Sequence, residues 1–158
     1  MQAQRLFDTL EELSTCNATP GTGVPRFSWP EADSRARRVL ERELKAIGLE
    51  PWTDGMGNLH ARIEGSTGAP AVLTGSHLDT VRNGGRYDGA MGIVLAMEVL
   101  RVLQESARQR RHPLALVSFT AEEPNPFDLS TFGSRSAAGK LKQELVRWAR
   151  NAVSGQRL

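Results

Sequence analysis

From Ala90 to Leu103 almost every residue is apolar, among them Met91, Ile93, Val94, Leu95, Met97, Val99, Leu100, Val102 and Leu103. A helix with so little polar surface must be enclosed on most sides. The run is also shorter than the roughly 18 apolar residues at which a membrane span is read. Its cover must therefore come from other elements of the chain. Two short apolar segments offer themselves as buried strands: Ala71-Val72-Leu73-Thr74, after Gly68 and Pro70, and Leu114 to Phe119. A third segment, Asn58 to Glu64, alternates Leu59, Ala61 and Ile63 with His60, Arg62 and Glu64, the pattern of a half-buried strand between Gly57 and Gly65.

Helical spacing recurs elsewhere. Leu6, Phe7, Leu10 and Leu13 predict a helix over about Gln4 to Leu13. A loop follows with Asn17, Pro20, Gly21, Gly23, Pro25 and Pro30. A second helix starts near Pro30-Glu31 and runs to Ile47, with Val39, Leu40, Leu44 and Ile47 on one face and Gly48 as its stop. Helices alternating with buried strands predict an α/β fold, a three-layer sandwich with a mostly parallel central sheet. Residues 142–158 are expected as a basic helical or frayed tail: Lys142 to Arg150 can continue a helix, while Ser154 to Leu158 have nothing to pack.

Apolar residues make up 39% of the 158 and charged residues 24%, enough for a core without staples. The formal net charge of +2 gives no footprint for nucleic acid. The most basic run, Arg108 to Arg111 with His112, reads as a solvated loop. A single cysteine, Cys16, excludes an internal disulfide and fits a reducing compartment. The N-terminal run from Met1 to Leu6 lacks the apolar core of a signal peptide. A soluble, cytoplasmic protein without membrane contact is the expectation.

Three segments gather the polar chemistry, each beside a buried element. Gly75-Ser76-His77-Leu78-Asp79-Thr80 follows a strand; His77 can ligate a metal while Asp79 fixes its tautomer or the local geometry. The plainer reading is a strand-end histidine capped by a nearby carboxylate. Asn83 to Gly89 turns on Gly84 and Gly85 and brings Asp88 to the head of the buried helix. There it is either an N-cap or a carboxylate bridging two cations. Thr120-Ala121-Glu122-Glu123-Pro124 places two adjacent carboxylates after a buried strand, where they repel unless a cation or proton is present. Together His77, Asp88 and the glutamates form a hard-to-borderline ligand set suited to zinc or manganese. His60 and His112 are left to surface roles.

These strings, with Phe132-Gly133-Ser134-Arg135 and Gly57-Asn58-Leu59, resemble the N-carbamoyl-L-amino-acid hydrolase and allantoate amidohydrolase (hydantoinase/carbamoylase) family. That family belongs to the aminoacylase and acetylornithine deacetylase superfamily. The likeness runs from about Leu6 to Leu141. It implies part of the catalytic domain of a two-metal amidohydrolase that cleaves non-peptide C–N bonds of N-carbamoyl-L-amino acids or allantoate. By the resemblance, His77 binds one of two divalent ions, zinc or manganese, and Asp79 orients it. Asp88 bridges the ions, Glu123 ligates the other, and Glu122 is the general base that passes a proton from water to the departing nitrogen. Arg135 is a candidate for the substrate carboxylate, a surface salt bridge being the alternative.

One departure stands out. Members of the family are considerably longer and homodimeric, with an inserted dimerisation domain and further histidine ligands, whereas this sequence has no histidine after His112. Residues 1–141 are thus expected to match the N-terminal portion of the catalytic domain, with the dimerisation domain and the C-terminal catalytic segment absent. Little activity, an open sheet edge and exposed apolar surface follow as expectations. A non-catalytic remnant or interaction domain of the same fold is the alternative function. An N-acyl amino acid or dipeptide is the alternative substrate.

Overall fold

The computed structural model describes residues 2–19, 21, 23–106 and 109–158. Met1, Pro20 and Arg108, named above, lie outside these. The elements run α1 (Ala3–Thr15), α2 (Glu31–Ala46), β1 (Trp52–Thr53), β2 (Leu59–Ile63), β3 (Val72–His77), α3 (Ala90–Glu105), β4 (Leu114–Phe119), α4 (Phe132–Ala137) and α5 (Gln143–Trp148). No helix is long and apolar enough to cross a membrane, among the described residues.

The fold is α/β, and its sheet is mixed. The strand order is β1-β2-β4-β3. β3 pairs with β4 in parallel, but β2 pairs antiparallel with both β1 and β4. The expectation of a mostly parallel sheet is corrected here. Only β3 and β4 are joined by a helical crossover, α3, which parallel neighbours require. The alternation read in β2 is the physical sign of the antiparallel part: Leu59, Ala61 and Ile63 are buried while Arg62 is exposed, one face wet and one dry.

Among the described residues, the three long helices share the main core with one face of the sheet. Leu10 and Leu13 of α1, Val39, Leu40 and Leu44 of α2, and Ile93, Val94, Met97 and Leu100 of α3 share one core with Leu59, Ala61, Ile63 and Leu116. The register sets Arg62 opposite Ala115 and Ala115 opposite Leu73 on the other face, and there both Arg62 and Leu73 are exposed. β3 is an edge strand, and Val72 and Leu73 keep 54% and 57% of their surface exposed, in line with the open apolar edge expected. The apolar run at Ala90 is enclosed as expected. Its polar exceptions are enclosed too: Glu98 and Arg101 are buried in ion pairs with Arg5 and Glu43.

A smaller cluster of Ala121, Leu129, Phe132 and Ala149 packs beyond the carboxyl end of β4. The chain end folds back on it. Arg150 and Arg157 form an antiparallel bridge, and the Leu158 amide donates to the Ala149 carbonyl. The helical form expected for residues 142–158 is thus confined to Gln143–Trp148.

Candidate metal centre

β3 and β4 run parallel and end at His77 and Phe119, which the register places side by side. The head of α3 lies at the same end, where Gly89 abuts His77. Open α/β sheets hold ligands at such carboxyl ends. Here His77, Asp88 and Glu123 each offer one donor atom, and the three atoms lie within 4.8 Å of one another. His77 Nε2 stands 3.9 Å from Asp88 Oδ1 and 3.7 Å from Glu122 Oε2. Four of the residues singled out from sequence are therefore brought together.

The local fold aims each one. β3 extends to His77, three residues past the predicted strand, and leaves that residue 8% exposed. Its Nδ1 lies 2.9 Å from the backbone carbonyl of Asp79, with the Asp79 carboxylate farther away at 3.7 Å. A proton on Nδ1 donated to that carbonyl leaves Nε2 with a free lone pair facing the carboxylates. Gly89, at φ 65°, meets the ring so closely that a Cβ there would stand 2.5 Å from His77 Cε1. The capping alternative for Asp88 does not hold: the N-cap of α3 is Gly89, with no side-chain cap, and the Asp88 side chain is 74% exposed.

Asp79 has a role that the spacing did not reveal. Its carboxylate, 2% exposed, accepts from the amides of Glu122 at 3.3 Å and Glu123 at 3.0 Å. It therefore ties the exit of β3 to the exit of β4. Burial pushes its pKa up to about 6, against the pull of those two amides. Glu123 is also raised, first by burial and then by the neighbouring Glu122 carboxylate. A carboxyl raised by burial and by the carboxylate beside it, close to an imidazole, marks a place that a cation would relieve, and the nitrogen-and-oxygen donor set fits zinc or manganese.

Ala121 stands at φ 50°, rare for a residue with a side chain, and its amide donates to Ser28 Oγ at 2.8 Å. Buried Asn58 accepts from the Thr120 amide and donates to Asp54 and to the Gly133 carbonyl. These groups fix the turn that presents Glu122 and Glu123. Sequence reasoning missed Ser28, which sits in an irregular loop without periodicity. Arg135 stands half-buried on α4, with no hydrogen bond or ion pair to the cluster among the described residues. His60 bonds Asp54 at 3.1 Å and stacks on Trp52, and exposed His112 bonds the Pro70 carbonyl, both away from the cluster.

Residues 58–153 match the family described as Peptidase family M28. An N-carbamoyl-L-amino acid amidohydrolase of Geobacillus stearothermophilus is 38% identical over 92% of this chain and 36% of its own length. A ureidoglycolate hydrolase of Oryza sativa is 37% identical over 93% of this chain and 30% of its own. The crystal structure of a hydantoinase/carbamoylase family amidase from Burkholderia ambifaria superposes with a TM-score of 0.92 at 33% identity, covering 99% of this chain and 38% of that one. The chain spans about a third of the length of these relatives.

Proposed function

The chain belongs to peptidase family M28, and from that premise, with its similarity to N-carbamoyl-L-amino acid amidohydrolases and hydantoinase/carbamoylase amidases, we propose that His77, Asp88, Glu122 and Glu123 are part of a two-metal hydrolase centre for linear ureides. The observation that supports this most is the convergence of three separate segments, with the donors of His77, Asp88 and Glu123 within 4.8 Å. His77 through Nε2, Asp88 and Glu123 would hold divalent ions, zinc or manganese. Bound there, such ions supply Lewis acidity and bring the pKa of water toward neutrality.

Glu122 does the proton work. Its carboxylate lies within reach of the His77 edge, at 3.7 Å, and is partly open to solvent. It takes a proton from the attacking water and returns it to the nitrogen that leaves. Asp79 stays a tether, because its oxygens are occupied by the 122 and 123 amides. The substrate class is an N-carbamoyl-L-amino acid or a related ureide, and Arg135 is assigned to its carboxylate. We place the protein in the cytoplasm, where the single cysteine stays a thiol.

His77, Asp88 and Glu123 offer one donor atom each, too few to fill the surroundings of two ions. Turnover of an N-carbamoyl amino acid by the 158-residue chain alone is therefore expected to be very low. Cobalt(II) titration tests the site without turnover. A visible absorption band that saturates, and that is lost in Asp88→Asn but kept in Glu122→Gln, is the expected result. A band indifferent to Asp88 would sink the assignment, as would brisk hydrolysis by the Glu122→Gln variant.

A further inference from the structure

The irregular segment between α1 and α2 touches all three segments that carry the candidate ligands. The Val24 amide donates to the Gly84 carbonyl at 2.9 Å, in the turn that leads to Asp88. Arg26 pairs with Thr80 through both backbone groups: its amide donates to Thr80 Oγ1, and its carbonyl accepts from the Thr80 amide. Ser28 Oγ accepts the amide of Ala121, one residue before Glu122. Residues 24–28 thus form a strap across the loops after β3 and β4 and before α3.

At its centre lies an unusual side chain. Arg26 is 1% exposed, yet among the described residues its guanidinium meets carbonyls alone within hydrogen-bond distance. Nε donates to Leu78 at 2.6 Å, and Nη1 donates to Leu13 at 2.7 Å and Cys16 at 3.1 Å. Burial lowers its pKa, while Asp33 and Asp79 work the other way. A buried cation held by carbonyls is costly beside an apolar side chain of similar volume. What it provides is direction, because the rigid fork fixes several carbonyls at once. One of those carbonyls belongs to Leu78, between His77 and Asp79.

We infer that Arg26 is a positioning residue, and that the strap from Val24 to Ser28 sets the relative placement of His77, Asp88 and Glu123. Arg26 clamps the C-terminal end of α1 to the Leu78–Thr80 segment. That fixes the Asp79 carbonyl against His77 Nδ1 and the Asp79 carboxylate under the Glu122 and Glu123 amides. The assignment of a metal role to these residues rests on the function proposed above; the mechanical role does not.

The test uses the full chain, Arg26→Met, and Leu44→Ala as a core control on α2, away from the strap. Amide hydrogen exchange is measured without added metal, and zinc affinity by calorimetry. In Arg26→Met, the Thr80, Glu122 and Glu123 amides are expected to exchange at least about tenfold faster while β2 amides are unchanged. Zinc affinity is expected to fall about tenfold to a hundredfold, the usual effect of losing a group that orients a ligand. Leu44→Ala should speed exchange throughout and leave zinc affinity within about twofold of wild type. If Arg26→Met fails to fold, Ser28→Ala takes its place, with faster exchange confined to the 121–123 amides. Exchange that rises uniformly in the strap variants, or not at all at these amides, overturns the inference. Localised exchange in a protein that takes up no zinc supports the strap and strikes the metal reading instead.

Discussion

A methyl group at position 89 would enter the space of the His77 ring, 2.6 Å from Nδ1, on a backbone already at φ 65°. Both effects act against any residue but glycine. Gly89→Ala is therefore expected to lower stability by about 1–3 kcal/mol and to weaken zinc binding at least about tenfold through the displaced imidazole. Thermal unfolding and a zinc titration on the same sample check this; unchanged zinc affinity would show that the ring does not need that glycine. At this scale the sequence was informative about donors and silent about their supports. His77, Asp88, Glu122 and Glu123 announce themselves by type and by position after apolar runs. Arg26 and Ser28 do not, because hydrogen bonds from an irregular loop leave no periodic trace. Asp79 was visible, but its function was not: the H-x-D spacing points to the imidazole, whereas the carboxylate binds backbone amides of a segment distant in sequence.

Among the elements, α1 is fastened to α3 by a charged contact that the apolar pattern hides. Glu98, 1% exposed, accepts from Arg5 at 2.9 Å and from the Gln2 amide at 3.0 Å. Burial alone would raise its pKa, but these bonds outweigh it and hold the carboxyl below the ordinary 4.5. A depressed folded pKa stabilises the protein above the unfolded value, and the contribution disappears as pH falls through the folded one. Glu98→Gln should thus cost about 2 kcal/mol near neutral pH, and the gap to wild type should close as pH drops below 4.5. Urea unfolding of both proteins at pH 7 and at pH 3.5 reads this directly; a gap that widens in acid contradicts the ion pair. The helices and main strands were legible because burial imposes periodicity. Strand direction was less so. The alternating β2 carried the antiparallel signal, but its partner β4 lies far along the chain, and the two-residue β1 is too short to show a pattern.

In the whole molecule, three helices cover one face of a four-stranded sheet, and the parallel pair β3–β4 delivers its carboxyl ends to one place. The opposite face and the β3 edge carry exposed Leu73 and Val72. The relatives extend over about three times this length. On the function proposed, the cluster around His77 is a metal site already assembled by this chain. It is tested most directly by elemental analysis of the purified protein after zinc loading and exhaustive dialysis, beside His77→Ala. About one equivalent or more of retained zinc, lost in the variant, is the result predicted. No zinc retained by the wild type, or the same amount in His77→Ala, would contradict it.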